Sequence, residues 1–476
     1  MNTQFMPKFN LEDIAKWTNG KIISKHNISF SEIGTDTRKN LNDQIFIALK
    51  GDSYDAHDYL DKAAEQGAGL LLVQTLKPEF ENLTNKVSII LVDDTLVALQ
   101  DFANAYRKTL ITKIISITGS NGKTTTKEFT AAILSCFKKT HFNQGSFNNH
   151  WGVPLTLLQI PNDATFAVVE MGMNHAGEIA ALCEIAEPDI VVCTMVGRAH
   201  IEFFGTIEGI AKAKEEIYQA GNEDVIRVFN QDQDLTFDMM YPVAKKFPAC
   251  RMLSFSEKND EADVYFKIEN SSSKGLQISG VIAGFKSVAT IPIFGKHNIT
   301  NLMAAATLAY AAGMKPEDIW KALPNCKSTW GRNEFISTEL GADILFDGYN
   351  ANPDSMYALI ENVSEIECAG SKIAVIGQMK ELGDHAASEH ANLAEVIAAK
   401  NFSFVYFIGE NYKDFEQGLM NKKYKNYLVQ SDLSEDMAKH FKSQIKKNDL
   451  VIIKGSRGAK TERFVELCSP LNWKNK

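Results

Sequence analysis

The stretch IISITGSNGKTTTKE, residues 114–128, decides how the rest of the chain is read. Its first half is rich in β-branched residues (Ile114, Ile115, Ile117) and has the length and composition of a buried strand. From Gly119 onward it is a glycine turn that passes into a helix-forming segment extending to Leu134. Strand, glycine loop and a helix opening on Lys-Thr form the arrangement that cradles phosphate. Glycine backbone lets successive N–H groups turn toward one anion, and the helix N-terminus adds partial positive charge. In such a loop Lys123 is placed to reach β- and γ-phosphates, and the Thr124 hydroxyl to ligate the nucleotide's Mg²⁺. The general pattern G-x-x-x-x-G-K-[ST] asks for glycine where this chain has Ile117. The loop is therefore a compact form, T-G-S-N-G-K-T-T, built from Gly119, Ser120, Asn121, Gly122, Lys123, Thr124 and Thr125.

Around that loop the bulk properties narrow the class. A chain of 476 residues is too long for one core, and three domains are the natural expectation. Its apolar and charged fractions, 45% and 23%, are those of a globular protein and exclude a disordered or fibrous one. A net charge of −9 without a basic stripe excludes non-specific nucleic-acid binding. The seven cysteines are odd in number and lack C-x-x-C spacing, so neither zinc nor a disulfide framework is indicated. No apolar run approaches the roughly 18 residues of a membrane span. No membrane insertion, a cytoplasmic location and a monomeric state are the expectations.

The expected fold is α/β in three parts. Residues 1–108 read as a small N-terminal α/β domain: helix-like LEDIAKWTNG, strand QIFIALKG, a helix over 59–67, strand GLLLVQ, and a helix over 96–108 leading out. Residues 109–327 read as a central parallel-sheet domain with strands IISIT, FAVVEM and DIVVCTMV, a small antiparallel addition over 251–294, and helices over 298–312 and 316–323. In such sheets ligands collect beyond the carboxyl ends of the strands, where Glu170 and the Arg198-Ala199-His200 turn fall. After a linker at 327–332, residues 328–476 read as a Rossmann-like module with strands ADILFDGY, KIAVIGQM, FSFVYFIGE, KNYLVQ and DLVIIKGS. It lacks G-x-G-x-x-G, so dinucleotide binding is not supported.

Further motifs follow the loop in order: Phe147-Asn148-Asn149 with GVPLTLL, EMGMNHAGEI (170–179), AHIEFFGTIEGIAKAKEEI (199–217), GKHNITN (295–301), Gly331-Arg332, DGYNANPDSM (347–356) and KGSRG (454–458). With TGSNGKTT, this set resembles the Mur ligase family over all three parts of the chain. The YNANP segment and the NN-x-x-G-V-P-L-T-L-L run are most similar to members that add D-alanyl-D-alanine to UDP-N-acetylmuramoyl-tripeptide. The resemblance implies ATP-dependent, ADP-forming amide bond formation in peptidoglycan synthesis, with ATP and Mg²⁺ as cofactors and small molecules as partners. Another Mur-type amino-acid ligase, or a phosphate-loop ATPase switching a macromolecular partner, are the alternatives.

Site residues then follow one by one. Glu170 ends an apolar strand, where a carboxylate is costly to bury unless it meets a cation, and Mg²⁺ prefers such oxygen donors. His200 matches the family histidine that helps hold a second Mg²⁺. Lys214, in AKAKEEIY, reads by itself as a solvated helix lysine; resemblance alone assigns it the carbamylated lysine that bridges metal ions. Asn298 reads as a helix cap, while resemblance assigns it to adenine. Resemblance gives Arg332 the ATP phosphates, a role suited to a bidentate, permanently charged guanidinium, and gives Asp347 the ribose side. Thr37 and Arg38 match the segment contacting uridine diphosphate, and Asn148, Asn149, Asn350 and Asn352 offer amides to a peptide backbone.

Overall fold

The computed structural model describes residues 9–51, 54–143, 145–199, 201–272, 275–364 and 366–475. Among them the chain forms three large sheets of five, nine and six strands, plus a two-stranded pair. In the first sheet Ile33–Gly34, Ile45–Ile47, Leu70–Val73 and Ser88–Leu91 run parallel, and Lys21–Ser24 pairs antiparallel at the edge.

The helix Thr95–Thr109 carries this sheet onto the next. Asp94 starts it by accepting from the backbone N–H groups of Leu96 and Val97 at 2.7 and 2.9 Å. Its apolar face, Leu99, Phe102, Ala103 and Tyr106, recurs at helical spacing and is buried. That face lies in one continuous core with Phe9 of the two-stranded pair, Ile47 of the first sheet and Val169 and Val191 of the second.

The nine-stranded sheet is parallel from Thr140–Phe142 at one edge through Phe166–Glu170, Lys113–Thr118, Ile190–Cys193, Ile226–Asn230 and Met252–Ser256 to Val264–Ser272. Successive side chains alternate between two cores: Ile114, Val169 and Cys193 face one, while Ile115, Ile117, Val168 and Val192 face the other. Burial on both faces explains why these strands read as unbroken apolar runs. The antiparallel addition is a continuation of this sheet, made by Gly275–Ile282 and Phe285–Ile291. The antiparallel pairing begins later than the expected 251: Met252–Ser256 is parallel to both its neighbours, and Val264–Ser272 turns antiparallel only toward Gly275–Ile282.

The helices Lys123–Ser135 and Asn298–Ala311 cover the second core. The latter is buried at nearly every position, and its small alanines let it approach both the sheet and the phosphate-loop helix. The third sheet is ordered Glu334–Ser337, Asp343–Asp347, Leu450–Lys454, Lys372–Gly377, Phe404–Ile408 and Tyr427–Gln430, parallel except for its first pair. The antiparallel strand Glu334–Ser337, four residues with one buried side chain, lacks the apolar run that marks the others. The helix Pro353–Ser364 brings its N-terminus to the carboxyl ends of the central strands. All seven cysteines are free thiols. Among the described residues no helix is long and apolar enough to cross a membrane.

Two glycines of the loop are obligatory. Gly119 and Gly122 have φ of +147° and +82°, and a Cβ on Gly122 would come within 2.3 Å of Asn301 Oδ1. Gly122→Ala is expected to cost about 1–3 kcal/mol of unfolding free energy. A thermal or urea melt checks this, and a variant as stable as its parent would contradict the strained turn.

Candidate active site

The loop is shaped by the segment that follows Ile190–Cys193. Ser120 N–H donates to Met195 O at 2.8 Å, Ser120 Oγ donates to Gly197 O at 2.9 Å and accepts from Gly197 N–H at 2.8 Å, and Thr194 Oγ1 donates to Asn121 O at 2.6 Å. Lys123 folds back over the loop, its Nζ donating to Gly119 O at 2.7 Å. Burial holds its ammonium below the usual lysine value, partly offset by the Glu170 charge.

Glu170 is 1% exposed at the end of its strand. Thr124 Oγ1 donates to its Oε2 and Asn148 Nδ2 to its Oε1, both at 2.8 Å. Ser146 Oγ stands 3.1 Å from the same Thr124 hydroxyl. The result is a compact group of oxygens around one carboxylate beside the loop. Among the described residues, no three His, Cys, Asp or Glu side chains gather to hold a metal ion. A cation here would therefore take few protein oxygens and complete its shell from a phosphate and water, which is the habit of Mg²⁺.

Residues beyond the linker complete a cavity of about 440 Å³ over the loop. Arg332 donates from Nη2 to Thr124 Oγ1 at 2.9 Å, with its guanidinium 4.4 Å from the centre of the Tyr349 ring. Asp347 is ion-paired with the buried ammonium of Lys454, which also donates to Asn350 O at 3.2 Å. Of the expected nucleotide residues, Ser120 through Thr125, Asn298, Arg332 and Asp347 line this cavity, joined by Glu170, Asn148 and Asn350. Asn298 is not a helix cap: it is the first helical residue, donates from Nδ2 to Phe294 O at 2.6 Å and accepts from Asn301 at 2.9 Å. Asn352 spends its amide on Asn121 of the loop at 2.8 Å.

Other expected residues lie apart. Asn149 accepts from Trp151 and Gly152 N–H groups and so starts the helix Gly152–Leu158. Thr37 and Arg38 sit in a turn where exposed Arg38 pairs with Asp36 at 2.8 Å, beside a second cavity of about 550 Å³ between the first and central sheets. Lys214 is no solvated helix lysine: it is 1% exposed and outside the 440 Å³ cavity lining. Burial, aided by the charge of Lys123, brings its pKa down to about 7, and no carboxylate is among the groups acting on it. His200 lies outside the described residues.

Several groups to which the motifs give no role join the modules. Arg198 donates from its backbone and Nε to Asp354 at 2.8 and 3.0 Å and from Nη1 to Glu389 at 2.8 Å. Position 197 must be glycine for this, since a Cβ there would meet Asp354 Oδ2 at 2.6 Å. His297 lies between Asn333 and Asn362, each 3.1 Å from one ring nitrogen, and enclosure brings its pKa down to about 4. Lys454 was findable, since it ends a strand at the expected ligand edge; Asp354, Glu389 and Asn362 are helix polar residues with no local signal.

Two family models match the chain: the Mur ligase middle domain over residues 117–309 and the Mur ligase glutamate ligase domain over 331–457. The chain is 36% identical to the UDP-N-acetylmuramoyl-tripeptide–D-alanyl-D-alanine ligase of Bacillus subtilis, covering 92% of this chain and 94% of that one. It is 30% identical to the Haemophilus influenzae enzyme of the same name, covering 97% and 98%. Among solved structures it is similar to MurF from Acinetobacter baumannii, with TM-score 0.86, 27% identity and 97% and 99% of the two chains covered. It is also similar to MurF ligase from Thermotoga maritima in complex with ADP, with TM-score 0.78, 27% identity and 92% and 97% covered.

Arg198→Met removes both carboxylate contacts across the modules. The expected result is a larger radius of gyration in solution scattering and a KM for nucleotide raised about tenfold; an unchanged envelope and KM would count against the contact. For His297, the unfolded chain takes up a proton near pH 6.5 and the folded chain only near pH 4. Its contribution to stability is thus complete above pH 6.5 and lost as pH falls toward 4. His297→Asn should flatten the stability–pH slope in that window, measured by urea melts.

Proposed function

The chain belongs to the Mur ligase family, and from that premise we infer that it joins D-alanyl-D-alanine to UDP-N-acetylmuramoyl-tripeptide, with ATP cleaved to ADP, in peptidoglycan synthesis. The observation that most supports this reading is the hydrogen bond from Arg332 to Thr124, which sets a guanidinium from beyond the linker on the phosphate loop.

Carboxylate and amine do not condense unaided in water, so a phosphoryl group must supply the leaving group. The tripeptide's terminal carboxylate oxygen attacks the γ-phosphorus of ATP, and the bond to the bridging oxygen breaks to release ADP. The deprotonated amine of D-alanyl-D-alanine adds to the acyl carbon of the acyl phosphate, and inorganic phosphate departs. Positioning and charge stabilisation carry such a transfer. Lys123 and Arg332 would spread the charge of the transferring group from two sides. Asn298 would face adenine and Asp347 the ribose side. The buried Glu170 carboxylate and the Thr124 hydroxyl suit Mg²⁺, with His200 and a carbamylated Lys214 as further ligands. When bound, the metal would neutralise phosphate charge.

Lys214 has the setting such a modification needs. CO₂ adds to a neutral amine, forming an N–C bond and releasing a proton, and the carbamate that results supplies the negative charge missing around this buried side chain. Thr37 and Arg38 would meet the uridine diphosphate at the mouth of the 550 Å³ cavity, which their neighbours Asp36 and Lys39 line and they do not. Asn148 and Asn350 would meet the peptide, with Asn149 and Asn352 acting through the backbone and loop they already hold. On this reading residues 1–108 bind the nucleotide sugar, 109–327 bind ATP and 328–476 close the site, in a cytoplasmic monomer.

Incubation with ATP, Mg²⁺, the muramoyl tripeptide and D-alanyl-D-alanine should give the pentapeptide mass, and preference for another amine acceptor in competition would reassign the substrate. Lys123→Ala is expected to abolish phosphate release while leaving the melting temperature near that of the parent. Lys214→Ala should lose activity and regain part of it with a small added carboxylate; normal turnover without any additive would end the carbamate assignment.

A further inference from the structure

One lysine of the phosphate-loop helix has no part in the mechanism above. Lys127 follows Lys123 by one helical turn and, beside Glu128, looks like a surface residue. It is instead 0% exposed. Its ammonium donates to Asn143 O and Gly145 O, each at 2.6 Å, and is ion-paired with Glu128 Oε1 at 3.3 Å. Two of the three partners are backbone carbonyls, so the amine constrains the path of the chain rather than one neighbouring side chain. A buried ammonium is tolerated only when it meets such partners, and removing it takes the donor from Asn143 O and leaves Gly145 O the longer bond from Asn143 Nδ2 at 3.3 Å.

The segment so held is a partition. Ser146 and Asn148 line the cavity over the phosphate loop, whereas Asn143 and Phe147 line the cavity beside the first sheet. Alternate residues of one short stretch thus face two binding spaces. The nucleotide side is fitted closely: Ser146 meets Thr124, Asn148 donates to Glu170, and Gly172 N–H donates to Asn148 O at 2.7 Å. A Cβ on Gly172 would come within 2.8 Å of the Asn148 amide, so the stretch has little room to shift without disturbing the Glu170 group. The other side is open, with Phe147 60% exposed.

We propose that Lys127 is a positioning residue whose buried amine anchors the stretch 145–149 as the wall shared by the two cavities, so that filling one strengthens binding in the other. This rests on the assignment of the two cavities to ATP and to the UDP-sugar. A ligand that orders the wall from one side lowers the cost of ordering it from the other, and the effect is reciprocal.

The test measures the dissociation constant of a non-hydrolysable ATP analogue with and without UDP-N-acetylmuramoyl-tripeptide, and the reverse, in the parent and in Lys127→Met. The parent should show coupling of roughly fivefold or more in both directions. Lys127→Met, close in length but without donors, should bring the ratio to about 1 and raise the KM for the UDP-sugar about tenfold. A merely structural lysine would lower the melting temperature and leave the ratio intact; that result overturns the proposal. Should Lys127→Met not fold, hydrogen exchange in the unaltered protein decides. Each ligand alone must slow exchange across 145–149, and protection by only one of them refutes the shared wall. Failure of the parent to bind the UDP-sugar at all would remove the proposed function and this assignment together.

Discussion

A carboxylate buried at the end of a parallel strand organises this molecule. Glu170 cannot be left without partners in that position, and its partners come from three directions: Thr124 from the phosphate-loop helix, Asn148 from the loop after Thr140–Phe142, and, through Thr124, Arg332 from beyond the linker. Meeting the needs of one anion therefore fixes the relative placement of a helix, a loop and a module. The nearby ammonium groups of Lys123 and Lys127 are the electrostatic counterpart, since both feel the Glu170 charge. A cation bound there would enter an environment whose oxygens are already gathered.

The cavity over the loop belongs to no single sheet. Its floor is glycine turn and helix N-terminus, and part of its roof is Asp347, Tyr349 and Asn350 from the third sheet's edge. Arg198, His297 and Asn352 hold the roof to the floor through contacts to Asp354, Asn362 and Asn121. Every one of these contacts is polar and directional. Such contacts specify a single docked geometry, and an apolar one accompanies them: Phe294 is buried in the core of the third sheet, edge-on to Phe335 with ring centres 5.0 Å apart.

Much of this was legible in the sequence, for physical reasons that can be named. Parallel strands buried on both faces leave unbroken apolar runs, so Ile114–Ile117, the FAVVE run and the third module's strands announce themselves. The glycine turn is legible because positive φ and close approach restrict the residue type at Gly119 and Gly122. Strand-end position marked Glu170 and Asp347. What stayed hidden depends on tertiary neighbours. Lys127 and Lys214 have the local signature of solvated helix lysines, and only packing from distant segments buries them. Arg198 carries no sign of Asp354 and Glu389, more than 150 positions away. Asn298 has the composition of a cap, but His297 takes the cap position with helical backbone angles. Asn352 lies in the most distinctive motif of the chain, and its amide goes to the loop.

Lys214 imposes an odd economy on the fold. A buried amine that no carboxylate opposes among the described residues, its pKa down at about 7, makes the folded state less stable at neutral pH than it would be with an apolar side chain of equal size. Laboratory evolution for heat resistance, run without any demand for turnover, would find this position among the easiest to improve. The sturdier proteins it returned would be those that had replaced this lysine with an apolar side chain.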